Sequence, residues 1–572
     1  MKKISIIIMA AAGLFFSACQ KDFLNVKKID ANIPVDLLYS NYPYYQSAVF
    51  NAYSYLPDGL GRIMNMEGAS DFAEFTSVGD FSQYFNLGIW NQYINPDDVW
   101  YNSFQGIRQA NLVLKNKPMV SLQYKLDRII GTDSTDYKNS VAWLNSSEGG
   151  MYFLKAFYYF ELVKRYGGVP IMDTALDYNN PGSYENMQRS TLDECIKYIV
   201  SLCDKAAKIV PIASGNGYDQ GLVLRGAVLA LKSKVLLYAA SPLFKDAGAT
   251  ATWEAAAAAA NEVIALKIYS LEGNYKTIFG AGNVSSKEAI FYKRYGASNF
   301  FEFANYPIAF QGSNGLSMTP TQNYADEFEV VTRDGAGNPV SSEPFSWSNP
   351  AHVANPYANR DPRLDSTTYH NGSRFVGFAT STIETFTGGS SGLPKQNASK
   401  TGYYLAKYVN PTINLNNGGS GTTTAHAFMY FRYAEVLLNY AEAMFNAYGA
   451  TGDPQLYGMT ALQAINAVRG RSSVKMPAYT AGNLTAAAIQ HERAVELGME
   501  GHRFWDVRRY KKGVEVLNTP VYRILITKNG NAFTYERVKL EDRVYQSKMD
   551  WYPIPQPEIT RTGWKQNDGW GQ

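Results

Sequence analysis

Two adjacent pairs of carboxylates, Asp97-Asp98 and Asp326-Glu327, come nearest in this chain to acid–base chemistry. A glycosidase needs two carboxyl groups facing a cleft at about 5 to 10 Å, one to protonate the leaving oxygen and one to attack or to activate water. Neither pair has that context. Asp97-Asp98 follows Pro96 and precedes a helical stretch, so helix capping explains it, and Asp326-Glu327 falls where a short helix would bear solvated charge. Glu492, Arg493, Glu496, Glu500 and Arg503 recur at three- and four-residue spacing and read as a salt-bridged helix with its exit turn. Glu435 and Glu442 are placed to pair with Arg432 or with arginines near His502-Arg503. His491-Glu492 has Val495 where a zinc-protease helix needs its second histidine. With five His in the chain and no close ligand pairs, no metal is expected. No nucleophile elbow, Walker loop or Rossmann glycine pattern stands in a supporting context, so no catalytic residue and no cofactor is expected. The run from Arg333 to Asn338 reads as a hairpin turn rather than a calcium loop.

The elements around these residues are mostly helical. Apolar residues at i, i+3 and i+4 predict helices over 37–55, 98–115, 148–166, 191–209, 221–238, 252–266, 430–448 and 455–468, with Asp98 and Thr252 as N-caps. The pairs 221–238 with 252–266, and 430–448 with 455–468, have the helix-turn-helix form of degenerate tetratricopeptide-like units. From about 268 to 425 Gly, Asn, Ser and Thr dominate, strand-like runs such as 289–295 appear, and 388–399 and 416–424 read as long flexible loops. The expected fold class is mainly α, a tetratricopeptide-like scaffold (37–267 and 426–510) carrying a loop-rich lobe with short strands (268–425) and a C-terminal segment (511–572), all one domain.

The amino terminus sets the location. Lys2 and Lys3 precede an apolar run from Ile4 to Phe16, too short to span a bilayer but long enough for a secretory signal, and Phe16-Ser17-Ala18-Cys19 reads as a lipoprotein cleavage box. Residues 1–18 are then removed, Cys19 carries the lipid, and 19–36 form a tether; two or more acyl chains anchor stably at ~0.8 kcal/mol per buried methylene. The chain's net charge is only +3 and loses Lys2 and Lys3 with the signal, which argues against nucleic acid or anionic lipid as a partner. With 42 Tyr, 9 Trp and only 18% charged residues, the surface suits a neutral polar ligand. Cys195 and Cys203 lie too far apart along one helix to bridge and are expected as buried thiols.

Five segments, in order, resemble the SusD (RagB/SusD) family of nutrient-binding outer-membrane lipoproteins. They are 151–163 followed by Arg165-Tyr166-Gly167-Gly168-Val169-Pro170; Asn359-Arg360-Asp361-Pro362-Arg363-Leu364; 431–443, beginning Phe431-Arg432-Tyr433-Ala434-Glu435; Glu492-Arg493-Ala494-Val495-Glu496-Leu497 with 500–509; and Tyr552-Pro553-Ile554-Pro555-Gln556. After Gln556 the usual form gives way to Pro557-Glu558-Ile559-Thr560.

The resemblance implies binding without chemistry: capture of an oligosaccharide or polysaccharide at the bacterial surface and delivery to a SusC-like TonB-dependent transporter. The same motifs accommodate a peptide or other non-sugar nutrient, and a surface glycoside hydrolase is the less favoured alternative. It also implies a ligand site built from loops of two stretches, about 71–93 and 295–347. Sugar rings present apolar C–H faces and a rim of hydroxyls, so aromatic platforms with polar partners are sought there. Trp90, Tyr84, Tyr306 and Trp347 are the candidate platforms, and Asn86, Asn91 and Asp71 the candidate polar partners.

Overall fold

The computed structural model describes residues 34–77, 79–126, 132–177, 179–180, 182, 187–214, 222–310, 317–377, 380–415 and 421–571. The signal segment, Cys19, most of the tether and positions 416–420 lie outside the described residues.

Nine principal helices form a continuous stack: α1 (Tyr42–Ser54), α2 (Trp100–Asn116), α3 (Thr132–Tyr166), α4 (Leu192–Ile209), α5 (Arg225–Ala240), α6 (Trp253–Ile264), α7 (Tyr433–Tyr448), α8 (Ala461–Arg469) and α9 (Ala486–Leu497). Each from α1 to α7 packs on the next, and α9 returns onto α7. Local chemistry explains the starts. Thr191 and Glu194 exchange hydrogen bonds in a capping box at α4, Thr460 and Gln463 do the same at α8, and Thr252 caps α6. α4 buries Leu192, Cys195, Ile196, Ile199, Leu202, Cys203 and Ala206 on one stripe, while α5 is buried nearly all round and forms the centre. Ala256, Ala257, Ala259 and Ala260 let α6 approach α5 and α7 closely. Burial pushes the Cys195 thiol up to about 11 and Cys203 further, so both are inert core residues.

Several boundaries differ from the periodic reading. The run 37–55 breaks at Asn41, whose side chain accepts the Tyr44 N–H and starts a new helix with Pro43 in its first turn. Residues 427–432 form a strand, so α7 begins at Tyr433. Before α8, Asp453 accepts the Tyr457 and Gly458 N–H groups and holds 453–458 as a turn, delaying the helix to Ala461.

Short antiparallel pairs stitch the lobe to the scaffold. β2 (Ala289–Arg294) pairs with β6 (Ala427–Arg432), joining the two ends of the insertion; β1 (Ala73–Phe75) pairs with β3 (Met318–Pro320), with Phe75 opposite Met318. β4 (Val330–Arg333) and β5 (Pro339–Glu343) make the hairpin expected around 333–338, with Asp334 Oδ1 accepting the Asn338 N–H. A separate small core of Tyr306, Phe310, Tyr369, Phe375, Ile383 and Tyr404 fills the lobe. Residues 388–399 are not a free loop: Ser391 and Ser399 are buried, and the Ser391 carbonyl accepts the Tyr404 hydroxyl at 2.8 Å. A long hairpin, β7 (Val521–Asn529) with β8 (Ala532–Glu541), turns at Gly530 within the C-terminal segment.

Candidate functional site

The charged motifs converge inside the protein. Arg363 binds Asp361 at 2.7 Å, Glu492 at 2.5 Å and Glu496 at 3.0 Å; Arg432 binds Glu500, Glu496 and Glu288; Arg469 binds Glu492 and Glu329; Arg471 binds Glu288 and Glu496. Lys407 completes the network on Glu500 at 2.7 Å. The ladder expected along one helix is therefore corrected: Glu492, Glu496 and Glu500 are buried and take their cations from distant motifs, not from i+4 neighbours. Burial pushes the Glu496 carboxyl up, but Arg471, Arg432 and Arg363 outweigh it and hold it at about 2. Glu442 pairs with Arg509 at 2.5 Å, while Glu435 pairs with Lys234 at 2.9 Å. These carboxylates are saturated by cations and lie in the interior, so they tie motifs together.

Both trial acid pairs resolve the same way. Asp98 Oδ1 accepts the Trp100 N–H at 2.8 Å, but the N-cap position is Val99, which makes no side-chain cap bond, and Asp97 is buried between Arg165 at 2.7 Å and Arg62 at 3.0 Å. Asp326 is not solvated charge; it is half-buried and accepts the Trp347 Nε1–H at 3.1 Å while pairing with Arg537 at 3.2 Å.

Most of the expected ligand residues prove to be framework. Trp90 is 2% exposed, with its ring 4.8 Å from Tyr552 and 4.6 Å from Trp570. Asn86 is buried and donates to the Gly68 carbonyl; Asp71 is buried and held by Arg503 through two bonds of 2.9 Å. Tyr306 is fully buried, its hydroxyl on the Asn410 and Ile413 carbonyls. Trp347 is half-buried, its indole N–H committed to Asp326. Asn91 shapes a turn by accepting the Tyr93 and Ile94 N–H groups. Of the seven, Tyr84 is the one aromatic whose ring stands exposed.

The two predicted stretches nevertheless meet. β1 comes from the first and β3 from the second; the Thr76 N–H continues the ladder to the Ser317 carbonyl. On one side of this ladder the short helix Ser82–Asn86 presents Tyr84 and Gln83, with Gln83 donating to Glu74 at 3.1 Å and to Glu541 at 3.2 Å. Lys400 stands 3.8 Å from the Glu74 carboxylate and also lies near Asp80, whose carboxyl burial raises above its ordinary range. On the other side the helix Phe300–Asn305 packs on β3, with Asn305 Oδ1 accepting the Met318 N–H.

That helix is inverted relative to ordinary amphipathicity. Its carboxylate, Glu302, is fully buried, accepting His426 Nε2–H at 2.9 Å and the Asn410 N–H at 3.1 Å, whereas Phe300 and Phe303 are 63% and 41% exposed. Exposed phenyl rings beside a buried acid are the informative departure from normal burial. The i, i+3 spacing sets both rings on one face of this helix, which the β1–β3 ladder joins to the segment carrying Asp80, Gln83 and Tyr84. Both rings fall within the predicted stretch 295–347, but neither is among its candidate platforms. The local signal was Phe300-Phe301-Glu302-Phe303, which reads as a buried aromatic cluster until His426 supplies a buried partner for the acid.

Comparison with known proteins gives consistent relatives. A model described as "SusD family" matches residues 286–570, and one described as "Starch-binding associating with outer membrane" matches residues 64–237. "SusD-like protein P38" of Formosa agariphila is 24% identical over 402 residues, 64% of this chain and 67% of its own length. A crystal structure of a SusD-like protein from Bacteroides fragilis superposes with a TM-score of 0.75 at 26% identity, covering 94% of this chain and 100% of the other. A SusD-like carbohydrate-binding protein from the same species has a TM-score of 0.72 at 23% identity, covering 92% and 99%. The helical stack with its inserted lobe, three of the five signature segments (359–364, 431–443 and 492–509) joined through buried ion pairs, and these matches along nearly the whole described chain lead to one assignment: the chain belongs to the SusD family.

Proposed function

We propose that this protein captures a neutral glycan on the strip formed by Phe300, Phe303, Tyr84, Gln83, Asp80 and Lys400. The inverted helix Phe300–Asn305 carries the reading. Two aromatic faces held out by a buried Glu302–His426 pair cost apolar exposure that a stacked sugar ring removes, at ~25 cal/mol per Å² covered. Half-buried Gln83, Asp80 and Lys400 offer hydrogen-bonding groups to ring hydroxyls. The carbohydrate-binding description of one structural neighbour and the starch-binding description of one family model support the ligand class. No chemistry on the glycan is part of this reading, because the acidic residues weighed above are committed to cations, caps or turns. Anchoring through Cys19 at the outer membrane and transfer to a SusC-like TonB-dependent transporter complete the proposal; the second family model's description names association with that membrane. Among the described residues no helix is long and apolar enough to cross a membrane.

A glycan array followed by calorimetry on residues 20–572 tests the assignment. Binding to one class of oligosaccharide, weakened by Phe300→Ala or Phe303→Ala by about 1 to 3 kcal/mol without a change in melting temperature, is expected. Binding that survives both changes would move the site elsewhere.

A further inference from the structure

A cleft of about 910 Å³ opens between α2, the segment from Pro170 to Leu176, and the short helix Gln556–Thr562. Its volume lies in the range of small-molecule sites. The more buried part of its lining is aromatic: the Trp100 ring stands 5.0 Å from Phe104 and 6.2 Å from Trp564. Two hydrogen bonds hold the walls, from Arg108 to the Leu176 carbonyl at 2.9 Å and from Trp564 Nε1–H to the Met187 carbonyl at 2.9 Å. The more exposed part of the lining is polar. Gln105 is half-buried and Thr174 exposed, and among the described residues neither side chain has a hydrogen-bond partner. Tyr101, 74% exposed and four positions before Gln105 on the same face of α2, offers a free aromatic face.

This lining selects among ligand classes. A purely apolar molecule would desolvate Gln105 and Thr174 with nothing in return. An ion would meet Glu558 and Arg561 already paired with each other, and an anion would find one further countercharge, the exposed Arg108, where solvent screens the attraction. A sugar ring, with apolar C–H faces and a rim of hydroxyls, uses both parts of the lining. The approach from the strip is uncharged as well. Between Asp80 and Asp97 the chain carries no charged residue. Within that run Tyr84 belongs to the strip, the Ile89 N–H donates to the Tyr84 carbonyl at 3.0 Å, and Tyr93 stands 71% exposed. The Gln92 carbonyl accepts the Gln556 N–H at 3.1 Å, which seats the turn at 91–94 on the helix that walls the cleft. One neutral segment with exposed tyrosines therefore leads from the strip to the cleft wall.

We infer that the cleft is a second contact for the glycan chain held by the strip, with Tyr101 as its stacking face and Gln105 and Thr174 as its hydrogen-bonding groups. This rests on the glycan reading and extends it from one contact to two. Two contacts on one chain make the second intramolecular, so a chain long enough to reach both binds more tightly than its fragments. The test titrates residues 20–572, wild type and Tyr101→Ala/Gln105→Ala, with two probes: a trisaccharide of the glycan that binds best on the array, and its parent polysaccharide. The double variant is expected to bind the polysaccharide about 10-fold more weakly than the wild type does. Its trisaccharide affinity and melting temperature are expected to be unchanged, because both substitutions lie on the accessible face of α2 and away from the strip. Equal polysaccharide affinity in the two proteins, or a fall in trisaccharide affinity as large as the fall for the polysaccharide, would overturn this inference alone. A wild type that binds no glycan on the array would overturn the glycan reading, and this inference with it. If the double variant melts early, Tyr101→Ala by itself decides, with an expected loss of about 3-fold on the polysaccharide.

Discussion

Glu67 shows how single residues report on the packing behind the site. It is fully buried, and although the Gly501 and His502 N–H groups bond to it, burial wins and pushes its carboxyl up to about 7. A folded-state value above the unfolded one means that its contribution to stability is greatest below pH 4.5 and is lost as pH rises towards 7. Glu67→Gln is therefore expected to equal the wild type near pH 4.5 and to exceed it by about 1 to 3 kcal/mol at pH 8, measured by urea unfolding. Lower stability of the variant at pH 8 would show that the ionised form is the one the loop requires. Trp90 belongs at this scale too. Wedged among Phe85, Tyr552 and Trp570, it is expected to cost about 3 to 5 kcal/mol on truncation to Ala, with early melting. A stable Trp90→Ala variant with impaired binding would restore it as a ligand platform. Side-chain direction was what the sequence withheld: composition marked 71–93 and 295–347 as aromatic, but whether a ring faces solvent depends on partners far along the chain, such as Trp570 for Trp90 and Asn410 for Tyr306.

The elements were legible where periodicity is their cause. The helices α2, α4, α5 and α6 appear where the apolar stripe puts them, within a few residues, whereas α3 begins at Thr132, well before the predicted 148; β2 and the 333–338 turn were readable from local pattern. The β7–β8 hairpin was not, because its strands alternate only weakly and lie in a charged tail. The charge ladder was legible as an ionic structure but not as a buried one, since burial follows from Arg363, Arg432, Arg469 and Arg471 arriving from three other segments. This network predicts its own failure modes. Glu496→Ala strands three arginines and is expected to cost about 3 to 5 kcal/mol, checked by denaturant melts. Glu496 and Asp97 are both held at about 2, below their unfolded values, so their contribution is present above about pH 4.5 and disappears as pH falls towards 2. Unfolding insensitive to pH between 5 and 2 would contradict the assignment of these pairs.

At the scale of the whole molecule, β2–β6 and β1–β3 fasten a loop-rich lobe onto a helical stack, so variable loops can carry a ligand while buried ion pairs keep their base fixed. The proposed anchor and porter are each open to test. Cys19→Ala is expected to abolish partition into the detergent phase, and unchanged membrane retention would contradict lipidation. Native outer-membrane extracts are expected to yield the protein together with a TonB-dependent barrel; repeated recovery without one would argue against delivery. The central claim is the ligand strip, and one titration addresses it most directly: calorimetry of the best array glycan against the wild type and the Phe300→Ala/Phe303→Ala double variant. The account predicts micromolar-range binding weakened at least 10-fold in a variant that melts with the wild type, whereas equal affinity in the two proteins would contradict it.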